Sequence, residues 1–204
     1  MDASSPPPWA ARFEIFLAVL LGAAALASAG AAYLATSDDG NQLKYLQQSS
    51  QTRAEANDLY AAGDKQLGLD QSIFIEFVTA TNDGKDELAA YLGNELSPTL
   101  KDAIDAWKKD DQAVTPFTGD DPIYRPEYYD QGDDLDLDAD AQFSRGDFYD
   151  KRGDEFVRST VAFAIALGLL GIGGVLTRWR NKLLFTGAGV AALIAGFWIV
   201  LVNL

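Results

Sequence analysis

The chain contains no cysteine, no histidine and a single methionine in 204 residues. Without thiols there is no disulfide framework, and cysteine usage says nothing about the redox compartment. Zinc held by thiolate or imidazole, haem on axial His or Cys, iron–sulfur clusters, Ser-His-Asp triads and Cys nucleophiles are all excluded by composition. The P-loop, the dinucleotide glycine fingerprint and the G-x-S-x-G elbow are missing as well. Composition leaves open only a catalyst built on carboxylates or a Ser/Lys pair, and the expectation is a non-enzymatic protein with no cofactor. Bases are also scarce, 16 Lys and Arg against 30 Asp and Glu for a net charge of -14. Such a chain repels phosphate, so nucleic acid is not an expected partner.

Apolar residues, in contrast, are plentiful and clustered. Ile15 to Ala35, Ser159 to Thr177 and Leu183 to Leu204 contain no Asp, Glu, Lys or Arg. Each is close to the roughly 20 residues a helix needs to cross a hydrocarbon layer. Three spans are therefore expected, at residues 13–35, 159–177 and 183–204, with the lipid bilayer as the first partner. The first run also carries the Ala27-Ser28-Ala29 triplet of a signal-peptide cleavage site. The residues ahead of it hold only Arg12 against Asp2 and Glu14, which is no basic n-region, so a retained membrane helix is preferred.

Residues 36–158 hold 28 acids and 12 bases, a net of -16, whereas the remainder is +2. The turn at 178–182 carries Arg178, Arg180 and Lys182 with no acid, which places it in the cytoplasm by the positive-inside rule. Three spans then put the tail at 1–12 inside and the acidic domain outside. Lys44, Arg53, Arg145, Lys151, Arg152 and Arg158 count the other way, but long segments translocate largely regardless of charge. Trp9, Tyr33, Trp179 and Trp198 fall near the span ends, where amphipathic rings favour the headgroup zone.

Within 36–158, the stretch after Gly40 is rich in good helix formers. Leu43, Leu46, Ser50, Arg53, Asn57 and Tyr60 recur at heptad-like spacing but are mostly polar, which argues against a tight coiled-coil seam. A long, weakly amphipathic helix is expected instead, continuing past Gly63 and Gly68 to the apolar face of Leu67, Ile73, Phe74, Phe77 and Val78. Asp83 is a candidate N-cap for a helix bearing Leu88, Leu92 and Leu96. Ser97-Pro98 reads as the cap and first residue of another, with Leu100, Ala103, Ile104 and Trp107 at core spacing. Both short helices are expected to pack on the long one. Pro116, Pro122, Pro126, Gly119 and Gly132 predict an irregular loop over 111–140, with helix resuming near Ala141. The fold class is thus an all-α membrane protein: three transmembrane helices and a helical, partly stalk-like extramembrane domain inserted between the first two.

"DQSIFIEF", "ELAAYLGNELSPTLKDAIDAW", the Pro-Phe and Pro-Glu-Tyr loop, and "GDEFVRSTVAFAIALGLLGI" together resemble a prokaryotic family of three-span membrane proteins to which no activity is assigned. The resemblance runs from about Asp58 onward and implies a shared helical architecture, with no function to carry over.

Candidate chemistry is sparse. Asp133, Asp134, Asp136, Asp138 and Asp140 crowd eight positions. An EF-hand beginning at Asp134 needs Gly at its sixth position and Glu at its twelfth, where this chain has Ala139 and Arg145. No metal site is expected; the run reads as a solvated acidic segment. Phe117, Tyr124, Arg125, Tyr128 and Tyr129 suit either a partner-contact surface or the anchoring of the loop onto the helices. Small residues recur every fourth position in the spans: Ala23, Ala27, Ala31; Ala164, Gly168; and, in the third, Gly187, Ala191, Ala195 beside Ala188, Ala192, Gly196. Such ladders let helices approach closely, within the chain or in a homo-oligomer or larger complex. The function expected is a structural or accessory integral membrane protein acting through such association. The alternative is a channel-like homo-oligomer with an acidic, cation-attracting vestibule.

Overall fold

The computed structural model describes residues 8–109, 115–118 and 122–204, with side chains from Arg12 onward. Five helices follow one another: α1 (Pro8–Asn82), α2 (Asp86–Glu95), α3 (Pro98–Trp107), α4 (Glu127–Val175) and α5 (Trp179–Asn203). No strand occurs among the described residues. Three of the helices, α1, α4 and α5, are long and apolar enough to cross a membrane. Contacts divide the chain into a first unit, Met1–Leu46 with Phe143–Leu204, and a second, Gln47–Gln142.

The first unit is built from apolar helices whose buried positions keep a strict 3-4 spacing. On α4 these are Phe156, Ser159, Phe163, Ala166, Leu170 and Gly173; on α5 they are Thr186, Gly189, Leu193 and Gly196. From α1 come Leu17, Ala24, Ala31 and Ala35. Ala24, Ala166 and Leu193 meet at the centre. Unlike a water-soluble bundle, these helices are apolar on their outer faces too: Leu26 is 77% exposed, Ile165 53%, Ile194 63% and Trp198 67%. A helix greasy on all sides belongs in a lipid or in a large protein core.

Close packing here depends on glycine. A Cβ on Gly196 would stand 2.6 Å from the Phe163 ring, and one on Gly189 would stand 2.7 Å from Leu170 Cγ. At the α4–α5 turn, Phe13 packs edge-on against Trp179 at 5.2 Å, and Lys182 Nζ lies 5.2 Å over the Phe13 ring. Arg178 precedes α5 in extended conformation, and Arg178 and Arg180 are exposed.

The second unit has its core where α1 meets the two short helices. Phe74, Leu96, Leu100, Ala103, Ile104 and Tyr124 are buried together, with Leu67, Val78, Trp107 and Phe117 packed around them. Ser97 caps α3 as its sequence suggested, its Oγ accepting from the Leu100 N–H at 3.2 Å, with Pro98 in the first turn. Helix α2 departs from expectation: it is preceded by Lys85, not Asp83. Gly84, at φ +68, turns the chain between α1 and α2, a conformation that suits glycine because it lacks a Cβ. Asp83 instead accepts a hydrogen bond from Lys85 Nζ at 2.9 Å.

The largest correction concerns the loop expected over 111–140. Residues 110–114 and 119–121 lie outside the described ones, but helix begins at Glu127, so the aspartate run is helical. Gly132, taken for a breaker, sits inside α4, where a Cβ would meet the Tyr60 ring at 2.7 Å. It permits close approach instead of a turn. Glu127 and Asp130 in the first turn suit the positive end of the helix.

Candidate functional site

Of the residues singled out between 117 and 129, Phe117, Tyr124 and Tyr129 are held by α1 or by one another, and Arg125 is held by acids of α4. Phe117 packs edge-on against both Phe74 and Tyr124, at 5.4 and 5.2 Å. Tyr124 is 2% exposed, and its backbone N–H donates to Pro116 O at 2.9 Å, which pins the two ends of the described loop together. Its hydroxyl donates to Asp70 Oδ2. Burial, then this bond and the charge of Asp70, push the Tyr124 phenol well above its usual range.

Asp70 is 2% exposed, and the same Oδ2 also accepts from Gln66 Nε2 at 2.8 Å and from Ser97 Oγ at 3.3 Å. One carboxylate thereby joins α1, the N-cap of α3 and the loop. Among the described residues no Lys or Arg forms an ion pair with it.

Beside it runs a second set of phenol–carboxylate contacts. Tyr129 donates to Asp64 Oδ1 at 2.5 Å and Tyr60 donates to Asp133 Oδ1 at 2.9 Å. Both phenols are raised, each chiefly by its carboxylate bond. Arg125 donates to Asp133 at 2.6 Å, lies 3.3 Å from Asp130, and sits 5.7 Å from the centre of the Tyr129 ring. Arg125 first, then Tyr60, hold the Asp133 carboxyl below its usual range. Of the five candidate contact residues, Phe117, Tyr124 and Tyr129 are buried or half-buried, whereas Arg125 and Tyr128 are exposed.

The aspartate run is divided between two arginines. Asp133 goes to Arg125, while Asp140 and Asp136 face Arg53, at 2.5 and 3.9 Å. Asp134 and Asp138 point to solvent. Among the described residues no group of three or more acids is arranged to hold a metal.

The polarity of the heptad-like set on α1 argued against a tight seam, yet Leu46, Arg53 and Tyr60 of that set reach α4, whereas Leu43, Ser50 and Asn57 are exposed. The other half of the seam was missed: Ala35, Ser49, Ala56 and Gly63 on α1, and Gly132, Ala139, Gly146 and Gly153 on α4, are all buried and recur in steps of seven or fourteen. In the second unit Ser49 Oγ donates to Ala139 O at 2.8 Å, and Gly63 accepts the Tyr129 ring. In the first unit Gly146 lies under Leu46 and Gly153 under Asp38 and Asp39. Small residues at a heptad position bring two helix backbones together. The signal was legible in the repeated Gly and Ala of "GDDLDLDADAQFSRGDFYDKRG".

The first unit also contains a paired charge. Asp38, 2% exposed, takes Arg152 in a two-pronged bond of 2.7 and 2.6 Å, which raises the guanidinium further. The Arg152 guanidinium lies 5.1 Å from the centre of the Tyr149 ring, which stacks on Tyr45 at 5.5 Å. On α5, Gly187, Ala188, Ala191 and Ala195 are exposed, Ala192 is half-buried and Gly196 is buried. The face α5 buries within this chain is therefore Thr186, Gly189, Leu193 and Gly196; of the two ladders only Gly196 lies on it, with Ala192 packed beside it.

Compared with family models, curated proteins and solved structures, the chain matches none.

Proposed function

We propose that the chain is a non-enzymatic accessory protein of a membrane, with α1, α4 and α5 crossing the bilayer and residues 36–158 forming an acidic helical domain outside the cytoplasm. It acts by association, with other copies or with a larger membrane complex. One observation carries the reading: the groups able to do chemistry are spent on joining helices. Tyr124 and Ser97 are bound to Asp70, Tyr129 to Asp64, Tyr60 and Arg125 to Asp133, Arg53 to Asp140, and Arg152 to Asp38. Supporting it, the ladder Gly187, Ala191, Ala195 on α5 is exposed within one chain and free to meet another helix. The basic turn of Arg178, Arg180 and Lys182 supports the orientation.

Two measurements test the proposal. Because the chain has no cysteine, a single introduced one reports alone. An impermeant maleimide added to intact cells is expected to label Asp138→Cys and to spare Asn181→Cys; the reverse pattern overturns the orientation. Native mass measurement in nanodiscs is expected to give a discrete oligomer or co-purifying complex. A lone monomer in every lipid tested overturns the association, and a closed ring with a central opening replaces it by a pore.

A further inference from the structure

We infer that the end of the first unit where α1 begins and α4 turns into α5 is a docking surface for the head group of an anionic phospholipid. The inference rests on the membrane reading above. Two stretches far apart in sequence meet at this end. Phe13 packs edge-on against Trp179 at 5.2 Å, Lys182 Nζ lies 5.2 Å over the Phe13 ring, and a Cβ on Gly174 would stand 3.1 Å from Leu17 Cδ2. Arg12 on α1 is thereby brought to the same end of the unit as Arg178, Arg180 and Lys182.

These four bases lack a carboxylate. Among the described residues none of them is in an ion pair, and the first turn of α5 holds no acid. Glu14, the nearest acid in sequence among the described residues, is exposed and in no ion pair either. The other end of the same helices differs. On α4 the bases nearest the start of the apolar run, Lys151, Arg152 and Arg158, pair with Asp147, Asp38 and Glu155. In a chain with 30 acids and 16 bases, four cations gathered from two segments without a carboxylate between them are placed to take their anion from outside the chain.

The surroundings set the kind of anion. Directly beyond the bases the chain exposes large apolar side chains: Ile15, at 66%, and Phe16 on α1, Val175 at the end of α4, and Leu183 and Leu184, the latter at 71%, on α5. A soluble phosphate covers none of these. A phospholipid lays its acyl chains along them and sets its phosphate level with the bases. Guanidinium groups present paired N–H donors that match phosphate oxygens, and the Trp179 ring falls where amphipathic aromatics favour the headgroup zone. A zwitterionic lipid carries the same phosphate with an ammonium of its own, so net charge is what a cluster of bases discriminates.

Native mass measurement of the full chain, released from nanodiscs of phosphatidylglycerol and phosphatidylcholine in equal parts with identical acyl chains, reads the preference. Each base beside an anionic head group contributes about a factor of five, so retained phosphatidylglycerol is expected to exceed phosphatidylcholine about tenfold or more. Arg178→Gln with Arg180→Gln is expected to lose most of that enrichment. Lys44→Gln with Arg145→Gln removes the same charge from exposed positions beyond the spans, outside the range of screened attraction, and is expected to keep it. Equal retention of the two lipids by the parent chain overturns this inference and leaves the membrane reading standing. An equal loss in the two double variants also overturns it, since that reports overall charge and not this surface. So does displacement of the retained lipid by an excess of inorganic phosphate at constant ionic strength, which would assign the bases to a soluble anion. A chain that enters discs of neither lipid overturns the membrane reading and the inference with it.

Discussion

Two buried aspartates on α1 show how one residue type is made tolerable in two ways. Asp38 is neutralised by a fork of Arg152, whereas Asp70 is stabilised by neutral donors. Removing one partner of a buried pair leaves an uncompensated charge, so Arg152→Met is expected to cost about 3–5 kcal/mol. Adding Asp38→Leu should recover most of that loss, because the remaining charge is gone. Unfolding by SDS titration measures both; equal stability of the single and double variants would show the two residues to be uncoupled.

The phenols give a pH signature on the same scale. Tyr60, Tyr124 and Tyr129 are raised, so the stability their neutral forms contribute is complete below the ordinary value of 10.0 and is lost only as pH climbs through their higher folded values. Asp133 is lowered, so its contribution is present above 3.8 and disappears as pH falls through a still lower value. Tyrosinate absorbance is expected to show a component that ionises above the ordinary phenol range, and Tyr124→Phe is expected to diminish it. A titration with no such late component, or one that Tyr124→Phe leaves unchanged, would refute the hydroxyl assignments.

At the scale of elements, glycine is used for contact more than for turning. Gly189→Ala and Gly196→Ala must push against Leu170 and the fully buried Phe163, an overpacking expected to cost about 1–3 kcal/mol each. Gly187 has nothing within 4 Å of its Cβ position, so Gly187→Ala should stay within about 0.5 kcal/mol of the parent in a monomeric preparation. Thermal inactivation in detergent ranks the three; a Gly187 variant as damaged as Gly196→Ala would mean that the helix face has been misassigned.

The same distinction explains what the sequence made legible. The apolar runs and the Ser97-Pro98 cap follow from local composition, and the structure has them where that composition predicts. The start of α4 does not: read alone, Gly132 and the Asp-Leu alternation argue for irregular chain. Tyr60 and Arg53, some 80 residues earlier in sequence, supply the contacts that make helix the better state. Nor do the ladders on α5 reveal which face is buried, since that depends on where Phe163 and Leu170 place their bulk. The Tyr124 and Asp70 contact required two segments to be brought together, and only the aromatic richness of the loop hinted at it.

For the whole molecule, charge balance is the dominant global property. Residues 36–158 carry -16, and the surface ion pairs that offset part of it, such as Lys151 with Asp147 and Lys85 with Asp83, are exposed and individually weak. Repulsion among the excess acids therefore outweighs what screening removes from the pairs. Raising sodium chloride is expected to raise the thermal midpoint of the full chain in nanodiscs. A fall would show that the pairs, not the repulsion, govern stability.

The seven-residue recurrence of Gly132, Ala139, Gly146 and Gly153 also limits how such a chain can change length. An insertion of three or four residues in one arm would unwind or overwind the pairing locally, and one of any other size short of a heptad would rotate bulky side chains into the seam. Natural variants of this build should accordingly differ by whole heptads, gained or lost in α1 and α4 together.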